Sequence, residues 1–179
     1  MHQLLLLRHA KSSWDDASLP DRERSLNKRG RRAAAAMREA IRGLGLAPDV
    51  ILVSPARRTR ETLEALEPWD DTPLVEPVDA LYLATAAQLF GVVRDQSETI
   101  RSIMLIGHNP GMHEFGVSLA GRTSLSDATN RLLAGFPTGA LAEFAIASPW
   151  RQLSAGGGQL VRFLTPRDLR DGEAVETAD

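Results

Sequence analysis

Residues 4–13 read Leu-Leu-Leu-Leu-Arg-His-Ala-Lys-Ser-Ser, an apolar run followed at once by nitrogen-rich side chains. Four consecutive leucines predict a strand buried on both faces, as is typical of the centre of a parallel sheet. Arg8, His9 and Lys11 then follow the carboxyl end of that strand, where open α/β sheets gather their ligands. These side chains predict an anionic ligand.

A second buried strand is predicted at residues 50–53, Val-Ile-Leu-Val, and an arginine-rich helix follows it. Ser54 suits the N-cap of this helix and Pro55 its first position, and the helix is expected to end before Pro68. Its first turns carry three arginines: Arg57, Arg58 and Arg60. They cannot all face one pocket, because successive helical residues are about 100° apart.

A third buried strand is predicted at residues 103–106, Ile-Met-Leu-Ile, before the turn Gly-His-Asn-Pro-Gly at 107–111. Pro110 suits a helix start, which leaves His108 beside unpaired N–H groups that favour an anion. His113 lies five residues beyond His108, a spacing that does not place both rings on one helical face as a metal pair requires. No metal site is predicted.

These segments resemble the motifs of the histidine phosphatase (phosphoglycerate-mutase-like) superfamily, branch 1. The Arg-His pair at 8–9 is similar to the family's first motif, with Ala10 in place of glycine. Residues 54–62 resemble the second arginine motif, and residues 106–111 resemble the second histidine motif. The resemblance runs from Leu4 to Leu164 and is greatest to the small SixA-type phosphohistidine phosphatases, through Arg-His-Ala-Lys-Ser, the Arg-Ser-Leu-Asn-Lys-Arg-Gly segment at 24–30 and the short length.

The resemblance implies a three-layer α/β/α sandwich with a mostly parallel sheet and chemistry without a metal or cofactor. It implies that His9 is the nucleophile, that Arg8 and Arg58 hold the phosphoryl oxygens, and that His108 stays protonated or donates a hydrogen bond to them. By motif position, Arg58 is the inward arginine. Three further residues are expected to contact the substrate: Ser12, Lys11 and Asn109.

The proton donor is left open. In many larger relatives a glutamate has this role, but no glutamate occurs here between Glu76 and Glu98. A phosphohistidine substrate needs such an acid less than an alkyl ester does, because the leaving imidazole takes up a proton near neutral pH. The nearest carboxylates by sequence lie in the polar loop at residues 14–23, which is expected to cover the mouth of the sheet: Asp15, Asp16, Asp21 and Glu23.

Length and composition limit the classes of protein and of chemistry that fit this chain. The chain has 179 residues, which fits one domain at 1–167 with a polar, acidic tail at 168–179 and no separate cap domain. It has no cysteine, which excludes disulfides and thiolate chemistry. A net charge of -2 argues against a general nucleic-acid binder. No signal peptide or membrane span is recognisable, and a cytoplasmic protein without a membrane partner is expected.

Other elements are read from local signals. A helix is expected from residue 28 to Gly43, and its basic N-terminal residues are either a solvated face or a patch that attracts a phosphoprotein. Thr85 is expected to cap another helix. Two final strands are expected at 139–146 and 159–164, joined by a hairpin turn with glycines at 156–158.

The favoured function is hydrolysis of phosphohistidine on a phosphorelay or phosphotransfer protein through a phosphohistidine intermediate. A phosphatase or mutase for small phosphorylated metabolites is the alternative within the superfamily. A catalytically idle phosphate-binding module is the alternative of another class, and the complete set of two arginines and two histidines argues against it.

Overall fold

The computed structural model describes residues 1–170 as a six-stranded mixed sheet with helices on both faces. The strands are β1 His2–Arg8, β2 Val50–Val53, β3 Leu74–Pro77, β4 Ser102–Gly107, β5 Leu141–Ile146 and β6 Gly158–Leu164. Their order across the sheet is β3-β2-β4-β1-β5-β6, and only β5 runs against the direction of the others. The expected mostly parallel sheet is confirmed.

Six helices cover the sheet within the described residues. They are α1 Lys28–Gly43, α2 Arg57–Leu66, α3 Ala86–Arg94, α4 Gly111–Leu119, α5 Ser126–Ala134 and α6 Pro166–Arg170. Short 3₁₀ turns lie at Asp21–Glu23, Asp79–Leu81 and Trp150–Gln152. The helix α5 was not predicted from the sequence.

The leucines of β1 separate two cores, which gives the three layers. Leu4 and Leu6 pack with apolar residues of α3, α4 and α5, whereas Leu5 and Leu7 pack with those of α1 and α2. All four are at most 1% exposed. Because successive side chains of a strand point to opposite faces, a run of four leucines satisfies both cores at once.

One of the two predicted helix caps, Thr85, is present, and Asn27 forms a further cap that was not predicted. Asn27 accepts a hydrogen bond from the N–H of Gly30 at the start of α1. Thr85 forms a capping box with Gln88 at the start of α3. The predicted start of α2 at Ser54 and Pro55 is wrong, because the helix begins at Arg57 and the Ser54 hydroxyl bonds to His108. Its end at Leu66, before Pro68, is as expected.

β5 and β6 form the expected antiparallel pair, but their connection is longer than a tight hairpin and contains the turn Trp150–Gln152. The glycines at 156–158 lead from this connection into β6. The predicted tail boundary at residue 168 falls inside α6, where Asp168 accepts hydrogen bonds from Arg131 and from Thr165. Residues 171–179 lie outside the described part of the chain. Among residues 1–170, no helix has the length and apolar character that a membrane span needs.

Candidate active site

The sheet order brings the three motif segments to one edge. β4 lies between β1 and β2, and all three strands run in the same direction. Arg8 at the end of β1 pairs in register with Gly107 at the end of β4. His9, Ser54 and His108 therefore follow directly from three adjacent strand ends, where parallel sheets place their ligands.

His9 is buried and held in one tautomer. Its Nδ1 lies 2.7 Å from the carbonyl oxygen of Ala10, which can only accept, so Nδ1 carries the proton and Nε2 carries a lone pair. Burial lowers the pKa of His9 to about 4, with Arg58 and Arg8 adding to the shift against the opposing Ala10 hydrogen bond. The ring is neutral at pH 7, as a nucleophile must be.

His108 lies beside His9, with ring centroids 5.4 Å apart. Its Nε2 is hydrogen-bonded to the hydroxyl of Ser54 at 2.7 Å, and its Nδ1 is buried with no partner in residues 1–170. Burial, and then the positive charge of Arg58, lower its pKa to about 3. This pKa favours a neutral ring at pH 7, and the expected role of His108 toward the phosphoryl oxygens, protonated or as a neutral hydrogen-bond donor, stays a prediction.

The two arginines are held by backbone carbonyls and by one carboxylate. Arg8 donates from Nη1 to the carbonyl of Phe136 at 2.9 Å. Arg58 is 3% exposed and donates to the carbonyl of Asp21 at 2.7 Å and to its carboxylate at 3.0 Å. Arg57, by contrast, is exposed and pairs with Glu61. The inward orientation expected of Arg58 is observed.

Unpartnered buried polar atoms are concentrated at this site. Residues 1–170 contain six such side-chain atoms, and four belong to the predicted residues: Arg8 Nε, Arg58 Nε, His108 Nδ1 and Asn109 Oδ1. An unpaired buried polar group costs about 1–3 kcal/mol. Two of the four atoms are guanidinium N–H donors, so an anion with several acceptor oxygens would satisfy them.

Asp21 is the loop carboxylate that reaches the site. It accepts hydrogen bonds from Arg58 and from the hydroxyl of Tyr82, the latter at 2.5 Å. Burial raises the pKa of Asp21, but the bonds from Tyr82 and Arg58 outweigh it and lower that pKa to about 2. Burial and the same carboxylate raise the pKa of Tyr82. Asp21 is thus ionised at neutral pH, a state that does not suit a proton donor.

The three predicted substrate contacts are placed differently from one another. We call the following four residues the catalytic cluster: Arg8, His9, Arg58 and His108. Asn109 adjoins this cluster and donates to the carbonyl of Phe136 at 2.9 Å. Ser12 is buried, but its hydroxyl accepts a hydrogen bond from Arg24 at 3.0 Å. Lys11 is exposed and lines a neighbouring groove instead of the cluster.

Sequence reasoning missed several residues that support the site. Arg24 is buried, bonds to Ser12 and Asp21, and stacks on the ring of Trp14 at 3.6 Å. Thr62 accepts a hydrogen bond from the N–H of Ala10 and so fixes the residue after His9. Ser54 and Tyr82 were assigned no part in the chemistry.

The signal for Arg24 was its place in the quoted segment 24–30, and for Tyr82 that it is the only tyrosine of the chain. Thr62 had the same kind of signal as Arg24, because it is the last residue of the motif at 54–62. Within residues 1–170, no three histidine, aspartate or glutamate side chains are close enough to hold a metal ion.

Comparison with known proteins agrees with this geometry. Residues 4–78 match the family model of the histidine phosphatase superfamily, branch 1. A proposed phosphohistidine phosphatase SixA from Agrobacterium tumefaciens is 30% identical, with a TM-score of 0.78 over 92% of this chain and 98% of that one. The chain belongs to the histidine phosphatase superfamily.

Two further matches cover most of this chain, and the first of them is also a SixA-like structure. A proposed SixA from Nakamurella multipartitia is 29% identical, with a TM-score of 0.80 over 92% of this chain and 96% of that one. A chloroplastic protein of Arabidopsis thaliana is 35% identical over 92% of this chain and 78% of its own length. The phosphoglycerate-mutase-like α/β fold of the histidine phosphatase is therefore confirmed.

Proposed function

We propose that this histidine phosphatase hydrolyses phosphohistidine on a protein of the phosphorelay or phosphotransfer type. The observation that carries the proposal is the neutral imidazole of His9, with the lone pair on Nε2, beside the unpartnered buried N–H groups of Arg8 and Arg58. The similarity to SixA structures supports the same substrate class.

The reaction proceeds in two in-line displacements. In the first, Nε2 of His9 attacks phosphorus, the bond between phosphorus and the substrate imidazole breaks, and that imidazole takes up a proton from solvent. In the second, water attacks the phosphohistidine at His9, which releases inorganic phosphate and restores the neutral ring. Arg8 and Arg58 stabilise the equatorial oxygens in both steps through fixed positive donors.

The ionised state of Asp21 favours a substrate with a nitrogen leaving group. An alkoxide leaves slowly unless an acid protonates it, whereas an imidazole accepts a proton near neutral pH. In residues 1–170, Asp21 is the carboxylate bonded to a catalytic arginine, and its pKa of about 2 leaves it without a proton to give. This supports a phosphoramidate substrate over an alkyl phosphate.

The test begins with the covalent intermediate. Rapid quenching of the protein with ³²P-phosphohistidine peptide should trap an acid-labile, base-stable label on the wild type and none on His9→Ala. Circular dichroism and thermal unfolding establish that the variant is folded. Label that persists on a folded His9→Ala variant would place the nucleophile elsewhere.

The substrate class is tested by leaving-group dependence. We expect kcat/KM to fall steeply as the leaving group becomes more basic, so that phosphohistidine peptide and aryl phosphates react well and phosphoglycerate reacts poorly. The series is measured at one pH with EDTA present. A flat dependence would reveal an efficient proton donor and would favour the alternative, a phosphatase for small phosphorylated metabolites.

A further inference from the structure

A second concave surface lies next to the catalytic cluster, and we call it the basic groove. Its volume is about 770 Å³, and its walls come from the N-terminal half of α1, the segment after α5, and α6. Five cationic side chains line it: Lys11, Arg29, Arg32, Arg167 and Arg170. No carboxylate of residues 1–170 lines it.

The five cations of the basic groove are exposed and unpaired. None of them forms an ion pair or a side-chain hydrogen bond within residues 1–170, whereas nine other arginines of that range form ion pairs. The whole chain carries a net charge of -2, so general basicity does not explain the cluster. The groove is thus a local positive field on a weakly acidic protein.

The basic groove and the catalytic cluster are formed partly by neighbouring residues of the chain. Lys11 is two residues from His9, and α1 packs so closely on it that a Cβ at Gly30 would lie 2.1 Å from the Lys11 carbonyl oxygen. On the other wall, Pro137 follows Phe136, whose carbonyl holds Arg8. A partner polypeptide whose phosphohistidine reaches His9 therefore passes beside the groove.

We propose that the basic groove docks an acidic segment of the phosphoprotein whose phosphohistidine enters the site. This inference rests on the proposed function and adds that the partner carries acidic residues near its phosphohistidine. The size of the groove and the spread of the cations over three chain segments fit a polypeptide better than a single second phosphate. Exposed charge pairs mainly accelerate and orient the encounter of the two proteins. We therefore expect the groove charges to change KM and its salt dependence.

The probe is a pair of synthetic phosphohistidine peptides of equal length, one flanked by glutamates and one by glutamines. With wild-type protein, we expect a KM for the acidic peptide about threefold to tenfold lower than for the neutral one, with similar kcat. The difference should shrink as ionic strength rises from 50 to 500 mM, because the Debye length falls to a few ångströms.

The variant Arg29→Gln/Arg32→Gln removes two groove charges and keeps good helix formers on α1. It should lose most of the preference for the acidic peptide while its kcat/KM on an aryl phosphate stays unchanged. Arg101→Gln/Arg122→Gln is the matched control, because it removes the same charge from exposed positions that do not line the groove. The control should keep the preference.

Three outcomes would overturn the docking role: equal KM values for the two wild-type peptides, a preference that survives in Arg29→Gln/Arg32→Gln, or an equal loss in the control. A preference that arises only after the acidic C-terminal residues are neutralised would assign the groove to that segment instead. The residues concerned are Asp171, Glu173, Glu176 and Asp179.

Failure of the proposed function gives a different pattern. The wild type would then hydrolyse aryl phosphate and neither peptide. Docking remains measurable in that case by fluorescence anisotropy of the unphosphorylated acidic peptide. Binding that weakens in Arg29→Gln/Arg32→Gln but not in the control would keep the groove assignment, and absence of binding would remove it.

Discussion

Adjacent residues of one helix can differ completely in role because a helix turns each by about 100°. Arg58 is buried and donates to Asp21, while Arg57 is exposed and bonded to Glu61. The family motif, and not the local periodicity, distinguished the two in the sequence. Their opposite environments make them a natural pair for mutagenesis.

Arg58→Ala is expected to lower kcat/KM by about tenfold to a hundredfold or more, because a charge-assisted hydrogen bond to the transition state contributes on the order of 1.5–3 kcal/mol. Arg57→Ala removes the same positive charge from the surface and should leave kcat/KM nearly unchanged. Steady-state kinetics on an aryl phosphate suffices. Equal losses in both variants would contradict the assignment of Arg58.

Thr62 acts through the backbone next to His9. Thr62→Val deprives the N–H of Ala10 of its acceptor, so we expect a loss of about 1–3 kcal/mol in unfolding free energy and a lower kcat. The matched control is Thr129→Val, since Thr62 and Thr129 each donate to the carbonyl of the residue four positions earlier, but Thr129 lies near the surface. A Thr62→Val protein with wild-type kcat would mean that this hydrogen bond does not position His9.

Helices position the site at the scale of whole elements. The start of α1 lies against the chain after β1, and the start of α4 carries the turn that contains His108. Glycines permit both close approaches: a Cβ at Gly30 would meet the Lys11 carbonyl oxygen at 2.1 Å, and a Cβ at Gly111 would meet the Ala84 carbonyl oxygen at 1.8 Å. Contact with backbone atoms leaves no flexible side chain to give way.

Gly30→Ala should therefore displace the backbone beside His9 and lower both stability and kcat. Gly43→Ala is the control in the same helix, because a Cβ there has no neighbour within 4 Å. It should raise the unfolding free energy by about 0.5–1 kcal/mol through helix propensity and leave kcat unchanged. Urea unfolding and kinetics on both variants are sufficient, and a fully active Gly30→Ala protein would refute the packing argument.

For the whole molecule, the two buried histidines link stability to pH. Their pKa values of about 4 for His9 and about 3 for His108 lie below the unfolded value near 6.5, so the unfolded chain binds more protons as pH falls. The contribution of the two neutral rings to the unfolding free energy is fully present above pH 6.5. It declines below that pH, by about 2 kcal/mol per histidine at pH 5. Urea unfolding at pH 7 and pH 5 measures this.

His108→Gln should halve the pH dependence, since it removes one of the two titrating rings. Inorganic phosphate should also reduce the loss at pH 5, because an anion bound to the folded site favours protonated histidines. An unfolding free energy that is the same at pH 5 and pH 7 would show that neither histidine is neutralised by burial.

More of the fold than of the candidate site could be predicted from the sequence. Apolar runs identified the strands β1, β2, β4, β5 and β6, but α5 was missed because Ser126–Ala134 has no marked start signal and no side-chain cap. Ser54 looked like a cap and instead bonds to His108. Contacts of this kind join residues more than 50 positions apart, and local propensity contains no information about them.

β1 pairs only with later segments of the described chain, since Leu4 lies opposite Ile103 on one side and Phe144 on the other. These partners are about 100 and about 140 residues away, and closing such long loops slows folding. During synthesis on the ribosome, β1 cannot pair with its neighbouring strands until nearly the whole sheet has emerged. The strand that leads into His9 is thus made early and placed late, so enzymatic activity should be the last property to return when the unfolded protein is diluted from urea.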